Sequence, residues 1–179
     1  MANTPGGLPY PVGTDFVVDG DNAIRALAEA LDRRVAYGGS MRAYASSGTT
    51  GYSTSYIAIP YNTVDTAATF PTAPPGFTFS AANRGFTIVT PGMYLIHANA
   101  TVGQANTVFR IRAGSRTLAL LANSSTLFAM SLSAHAYLAA GTLVTAQIAL
   151  LSGSGSSAAD SADSPTDLRI THLPFMPNP

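Results

Sequence analysis

From residue 40 to residue 173 apolar positions alternate with polar or small ones, the period-two pattern of half-buried β-strands. Divided at Gly, Pro, Ser and Asn, the pattern predicts strands at Met41–Ser46, Tyr52–Ile59, Phe77–Ser80, Gly85–Thr90, Met93–Val102, Thr107–Ala113, Arg116–Ala122, Leu127–Leu138, Leu143–Leu151 and Asp167–Leu173. Many short strands at such spacing indicate a sandwich or jelly roll. The rhythm lapses at Asp65–Gly76, which holds Pro71, Pro74 and Pro75, and at Ser152–Pro165, SGSGSSAADSADSP. Loops longer than about 12 residues in a compact domain tend to be functional or mobile. The clearest stretch is Gly85 to Ala100, GFTIVTPGMYLIHANA. Phe86, Ile88 and Thr90 alternate with Thr87 and Val89, then Tyr94, Ile96 and Ala98 with Leu95, His97 and Asn99. Pro91 presets φ for a turn and Gly92 suits a backbone conformation that a side chain resists. The stretch therefore predicts a hairpin with Phe86 and Tyr94 turned into the core.

Phe86, Pro91, Gly92 and Tyr94, spaced F-x4-PG-x-Y, resemble the signature hairpin of the complement-q globular head family. Three further pieces occur in that family's order. IAIPYNTV at 57–64 resembles its early Asn-bearing strand, SLSAHAYLAAGTLVTAQ at 131–147 its penultimate hairpin, and LRITHL at 168–173 its closing strand. Together they cover about residues 41 to 173. The resemblance implies a mainly β, jelly-roll sandwich of the complement-q and tumour necrosis factor type, assembled as a homotrimer. Thr142 stands where the family often has Asp, so no charge or metal role carries over to that turn.

The front of the chain follows other rules. Residues 1–20 are rich in Pro and Gly and predict an extended arm that buries no core of its own. Leu8, Tyr10, Phe16, Val17 and Val18 give it apolar anchors. Residues 21–39 contain the one convincing helix, DNAIRALAEALDRRVAY, with Asp21 as N-cap, Arg33 and Arg34 in its last turn, and a stop at Gly38-Gly39. Ile24, Leu27, Ala28, Leu31 and Val35 form an apolar stripe. A helix this short is marginal alone, so the stripe either joins a three-helix bundle or packs on the β domain. Leu8 to Val35, LPYPVGTDFVVDGDNAIRALAEALDRRV, is similar to the opening of tail-fibre and minor tail proteins of phages that infect actinobacteria. That likeness implies a virion-attachment arm at 1–20 and a short helix at 21–39. The head then occupies 40–173 and a tail 174–179.

Composition sharpens the picture. Hydrophobic residues are 46% and charged residues 10% of the 179, so a packed core is within reach. Nine basic residues, all Arg, balance nine acidic ones. A neutral chain lacks the field that nonspecific nucleic-acid or anionic-membrane binding needs. A weakly charged surface favours association. There is no Cys, hence no disulfide or thiolate site. The N-terminus has no secretory pattern, and no apolar run is long enough to span a membrane. The expected setting is assembly in a host cytoplasm, then residence in the virion tail.

Candidate chemistry is sparse. His97, His135 and His172 each fall in a predicted strand without metal-site spacing, although a threefold axis would gather three copies of any one of them. Asp160, Asp163 and Asp167 could supply oxygen to Ca²⁺, but their spacing is not that of an EF-hand and a solubilising loop explains them more simply. Glu29, the sole Glu, lies on the helix, and a glycosidase needs two placed carboxyls. No G-x-S-x-G elbow or phosphate-binding loop occurs. These residues predict no catalysis, no metal and no cofactor. The two long loops are the expected contact surface, with Asp65, Phe70, Asp160 and Asp163 as ligand candidates. The expected partners are two more copies of the chain, other tail or baseplate proteins through the arm, and a host-surface glycan or protein. The alternatives are a free bacterial complement-q-like binding module and a carbohydrate-active enzyme on a jelly roll.

Overall fold

The computed structural model describes residues 2–3, 9–10, 39–70, 76–124, 128–153, 155–157 and 166–173. The helix expected at 21–37, most of the arm and the tail at 174–179 lie outside the described residues. Two arm segments are described, β1 (Ala2–Asn3) and β2 (Pro9–Tyr10), and their backbones pair antiparallel. The head follows as β3 (Ser40–Tyr44), β4 (Thr49–Tyr52), β5 (Ile57–Ala58), β6 (Thr63–Phe70), β7 (Phe77–Ser80), β8 (Gly85–Ile88) and β9 (Gly92–Val102). It continues through β10 (Thr107–Ala113), β11 (Arg116–Asn123), β12 (Phe128–Leu138), β13 (Leu143–Leu150), β14 (Gly155–Ser157) and β15 (Asp167–Leu173).

Two antiparallel sheets form the head. A six-stranded sheet runs β11-β10-β13-β8-β7, with β5 also beside β13. A seven-stranded sheet runs β4-β14-β9-β15-β3-β6, with β12 along the other edge of β9. Their inward rows make the core. Phe86, Tyr94, Ile96, Phe109, Ile111, Val144, Ile148, Leu168 and Ile170 are fully buried. The mainly β jelly-roll expectation holds for the head.

The pairing differs from expectation at both supposed hairpins. β8 pairs with β7 and β13, while β9 pairs with β12 and β15, so Val89–Pro91 carries the chain from one sheet to the other. The donors before Pro91 go elsewhere: Ile88 N–H to Thr142 O, and Val89 and Thr90 N–H to Gly76 O. Pro91 has no N–H to place. The 131–147 segment crosses in the same way, since β12 pairs with β9 and β13 with β10. Alternation reveals which face of a strand is buried, not which strand lies beside it.

Gly92 is needed for a different reason than expected. It lies outside the left-handed region, and a Cβ there would sit 2.5 Å from His172 Nε2. The missing side chain is therefore room for His172, which is buried and stacks on Tyr94 with ring centroids 4.7 Å apart. Tyr94 meets Phe77 edge-on at 6.1 Å, and Phe77 meets Phe86 edge-on at 5.6 Å. An aromatic file thus links the two sheets through Phe86, Phe77, Tyr94 and His172. The Tyr94 hydroxyl lies 2.8 Å from Gly76 O and 2.5 Å from Thr90 O, tying down the crossing segment. Burial pushes the Tyr94 phenol well above its ordinary value, so it stays a neutral donor. Phe86 and Tyr94 are core residues, as expected.

Two long loops are shorter than expected. Asp65 to Phe70 belongs to β6, which pairs with β3, and residues 71–75 lie outside the described residues. Within 152–165, β14 pairs with β4 and touches β9. Conversely, the strand expected at Tyr52–Ile59 breaks into β4 and β5, with exposed Ser53–Tyr56 between. Gly39, at the expected boundary between helix and head, is buried, and its carbonyl accepts from His172 N–H.

Candidate binding faces of the two sheets

Each sheet turns one row of side chains inward and one outward. On the seven-stranded sheet, register places Ser133, His97, Arg169, Arg42 and Asp65 side by side across β12, β9, β15, β3 and β6. The next row along is Ser131, Asn99, Asp167, Tyr44 and Thr63. Asp167 has no exposed surface although it faces outward, because its neighbours close over it. Its Oδ2 accepts from Arg42 Nε at 2.5 Å and from Arg169 Nε at 2.8 Å, and its Oδ1 from Asn99 Nδ2 at 2.6 Å. Arg42 also reaches Asp65 Oδ2 at 3.4 Å. Burial alone would raise the Asp167 carboxyl. The hydrogen bonds from Arg42, Asn99 and Arg169, with the Arg169 charge, outweigh that and hold it below the usual carboxylate range. Two arginines and two aspartates thus neutralise one another on this face.

Toward the other end the same face turns apolar. Leu95 lies between His135 and Thr171 in register and is 43% exposed, and Met93 lies between Tyr137 and Leu173. Ser40 Oγ and Thr171 Oγ1 are 3.0 Å apart. His97 Nδ1 is 2.8 Å from Ser133 Oγ. His97 and His135 thus share this face while His172 lies in the core. Among the described residues no three His, Cys, Asp or Glu are grouped to hold a metal ion.

The six-stranded sheet has a different outer face. Leu120, Arg110, Gln147 and Ala58 line up across β11, β10, β13 and β5. Arg110 Nε and Nη2 both donate to Gln147 Oε1, at 2.9 and 2.6 Å. The guanidinium lies 3.5 Å above the centre of the Tyr56 ring. Arg112, two residues along the strand, donates from Nε to Gly114 O, and Arg84 from Nη1 to Ala58 O. Where this sheet ends, between the β10–β11 and β12–β13 turns, a hollow of about 400 Å³ is lined by Ala113, Arg116, Leu118, Tyr137, Leu138 and Thr142.

The residues expected to contact a ligand are scattered. Asp65 lies on a strand and is engaged by Arg42. Phe70 ends the same strand, its backbone paired with Ser40. Asp160 and Asp163 lie outside the described residues. Asp167 opens β15 and already receives three hydrogen bonds, so its oxygens serve this network rather than a Ca²⁺ loop. Sequence reasoning missed Arg110 and Arg112 as a pair. Their alternation with Phe109 and Ile111 placed them on one face and was the available signal.

No protein-family model and no curated protein matches the chain. Solved structures do. Eiger, a tumour necrosis factor from S. frugiperda, superposes with TM-score 0.57 at 14% identity, covering 78% of this chain and 95% of its own. This chain has a jelly roll of the tumour necrosis factor type. Murine APRIL gives TM-score 0.54 at 13% identity over 75% of this chain and 98% of its own. The vertex protein P5 of PRD1 gives 0.54 at 13% identity over 76% and 98%. At these identities the likeness concerns the fold alone. Among the described residues no helix is long and apolar enough to cross a membrane.

Proposed function

We propose that the chain is a structural tail protein of a phage virion, a tail fibre or minor tail protein, whose head forms a homotrimer and meets the host cell surface. The observation that carries this reading is one chain joining a phage-type opening, LPYPVGTDFVVDGDNAIRALAEALD, to a tumour necrosis factor-type jelly roll. The likeness of the head to a phage vertex protein agrees with a place in a virion. The outer face of the seven-stranded sheet supports self-association. Its charges are neutralised within the chain, and it offers Leu95 and Met93 beside small polar residues, the mixture a threefold interface can bury without stranding a charge. In this arrangement residues 1–20 attach to other tail or baseplate proteins, and the helix at 21–37 sets the register of three chains.

The segment bearing Asp160 and Asp163 is a further proposed contact with the host. Sedimentation of the purified protein should give a mass near three times 18.4 kDa. Deleting residues 1–38 should leave a folded trimer that still adsorbs to host cells and no longer enters virions. A stable monomer at micromolar concentration contradicts the trimer. A truncated protein that still enters virions contradicts the role of the arm.

A further inference from the structure

Residues 40–173 hold six arginines and four aspartates, and of these aspartates Asp65 and Asp167 are described. On the seven-stranded sheet Asp65 is paired with Arg42, and Asp167 with both Arg42 and Arg169. The arginines of the six-stranded sheet and its turns therefore have no described carboxylate partner. Their partners are neutral: the Gln147 amide and Tyr56 ring for Arg110, the Gly114 carbonyl for Arg112 and the Ala58 carbonyl for Arg84. Such partners fix a guanidinium in place and leave its charge standing. A guanidinium has five N–H donors. Arg110 directs two N–H groups at one oxygen, and the rest of the fork is left for an external acceptor.

The placement is also ordered. Arg110 and Arg112 project from one strand about 7 Å apart, two residues of strand rise. Ala58, whose carbonyl holds Arg84, is next to Gln147 in register, and Gln147 is next to Arg110. The three cations thus border one strip of sheet. Arg84 adopts φ 55 in its turn, a left-handed conformation that a bulky side chain rarely takes. Exposed Leu120 lies directly across from Arg110, and Tyr56 is 37% exposed on the far side. Apolar carbon beside a fixed cation suits a sugar ring carrying an anionic group. Nucleic acid fits less well, because successive bases need successive aromatic platforms, and among the described residues Tyr56 is the one ring stacked on these arginines.

We propose that this strip, centred on Arg110, Arg112 and Arg84, binds an anionic glycopolymer through oxyanions borne on successive repeats. The proposal deepens the host-adhesion reading and rests on it for the polymer's source. Purified polymers are the probe, so a failed assay leaves the virion assignment standing. The full chain is tested against immobilised polygalacturonate, a carboxylate glycan, and phosphorylated dextran, a phosphate glycan, with unmodified dextran and oligothymidylate as controls. Binding to at least one of the two polyanions is expected at about 50 mM salt, weakening steeply as the charges are screened. Arg110→Gln with Arg112→Gln should weaken it at least about tenfold, with sedimenting mass and melting temperature kept, one charge-assisted contact being a factor of ten or more. Arg84→Gln, in an exposed turn, repeats the test if the double variant fails to fold. Preference between the polymers names the oxyanion. Three results overturn the proposal: no binding to either polyanion at low salt, equal binding of unmodified dextran or oligothymidylate, or unchanged binding by folded variants.

Discussion

Arg42 and Arg110 occupy comparable places, each in mid-sheet on an outward row, and meet opposite fates. Arg42 sits between two carboxylates, and Asp167 beneath it is fully buried. Arg110 rests on a ring and an amide, with no described carboxylate near it. On the first face the charge is closed within the chain, so the surface can be covered by another copy at little electrostatic cost. On the second the guanidinium is positioned and its charge left open. A buried ion pair tolerates the loss of a partner badly, whereas a cation held by neutral groups loses little when it is removed. The two sheets therefore differ in how their charges are partnered, and substitutions should separate stability from the proposed binding.

The largest effect belongs to the core that both sheets share. Phe86→Ala should cost about 3–5 kcal/mol in denaturant unfolding, the usual range for a buried aromatic. Wild-type stability in that variant would remove the aromatic file from the account. Asp167→Ala comes next, at about 3 kcal/mol, because it leaves Arg42, Arg169 and Asn99 around a vacated acceptor. The same site predicts a pH signature. The folded-state value of Asp167 is depressed, so its stabilisation is present above the unfolded value, about 3.9, and is lost as pH falls through the lower folded one. Asp167→Asn should be less stable than wild type at neutral pH and lack that acid-side decline. An equal decline in both proteins would assign it to other carboxyls.

Arg110→Gln should change unfolding free energy by less than about 1 kcal/mol, the ordinary scale for a surface position, while weakening polyanion binding. A loss as large as that of Asp167→Ala would make Arg110 structural and erase the contrast between the faces. The smallest effect is a gain. Arg84→Gly relieves a left-handed backbone and should stabilise by a few tenths to about 1 kcal/mol, offset by the lost bond to Ala58. Melting temperature checks it.

The strands and their buried rows were legible because alternation reports burial directly. β7, β10 and β15 have the predicted bounds. β6 was not legible: TVDTAATF carries few large apolar residues, and its membership depends on β3, distant in sequence. β14, Gly155–Ser157, hides in a Ser-Gly run for the same reason. Partner choice was equally hidden, which is why two sheet crossings looked like hairpins. The Asp167 network joins residues from 42, 65, 99, 167 and 169, so only the closed fold assembles it. His172 was visible as a strand residue, but its need for the space left by Gly92 was not.

The chain contains no cysteine, which allows a direct test of the division between faces. In a single chain Leu95 is 43% exposed on the seven-stranded sheet and Leu120 is 55% exposed on the six-stranded sheet. Leu95→Cys and Leu120→Cys, made separately in the full-length protein, would each present one thiol to a bulky maleimide. In the assembled protein the thiol at position 120 should react quickly and the one at position 95 should be protected until the protein is denatured. Equal, fast labelling at both positions in a trimer would contradict this division, because the face assigned to self-association would then be open to solvent.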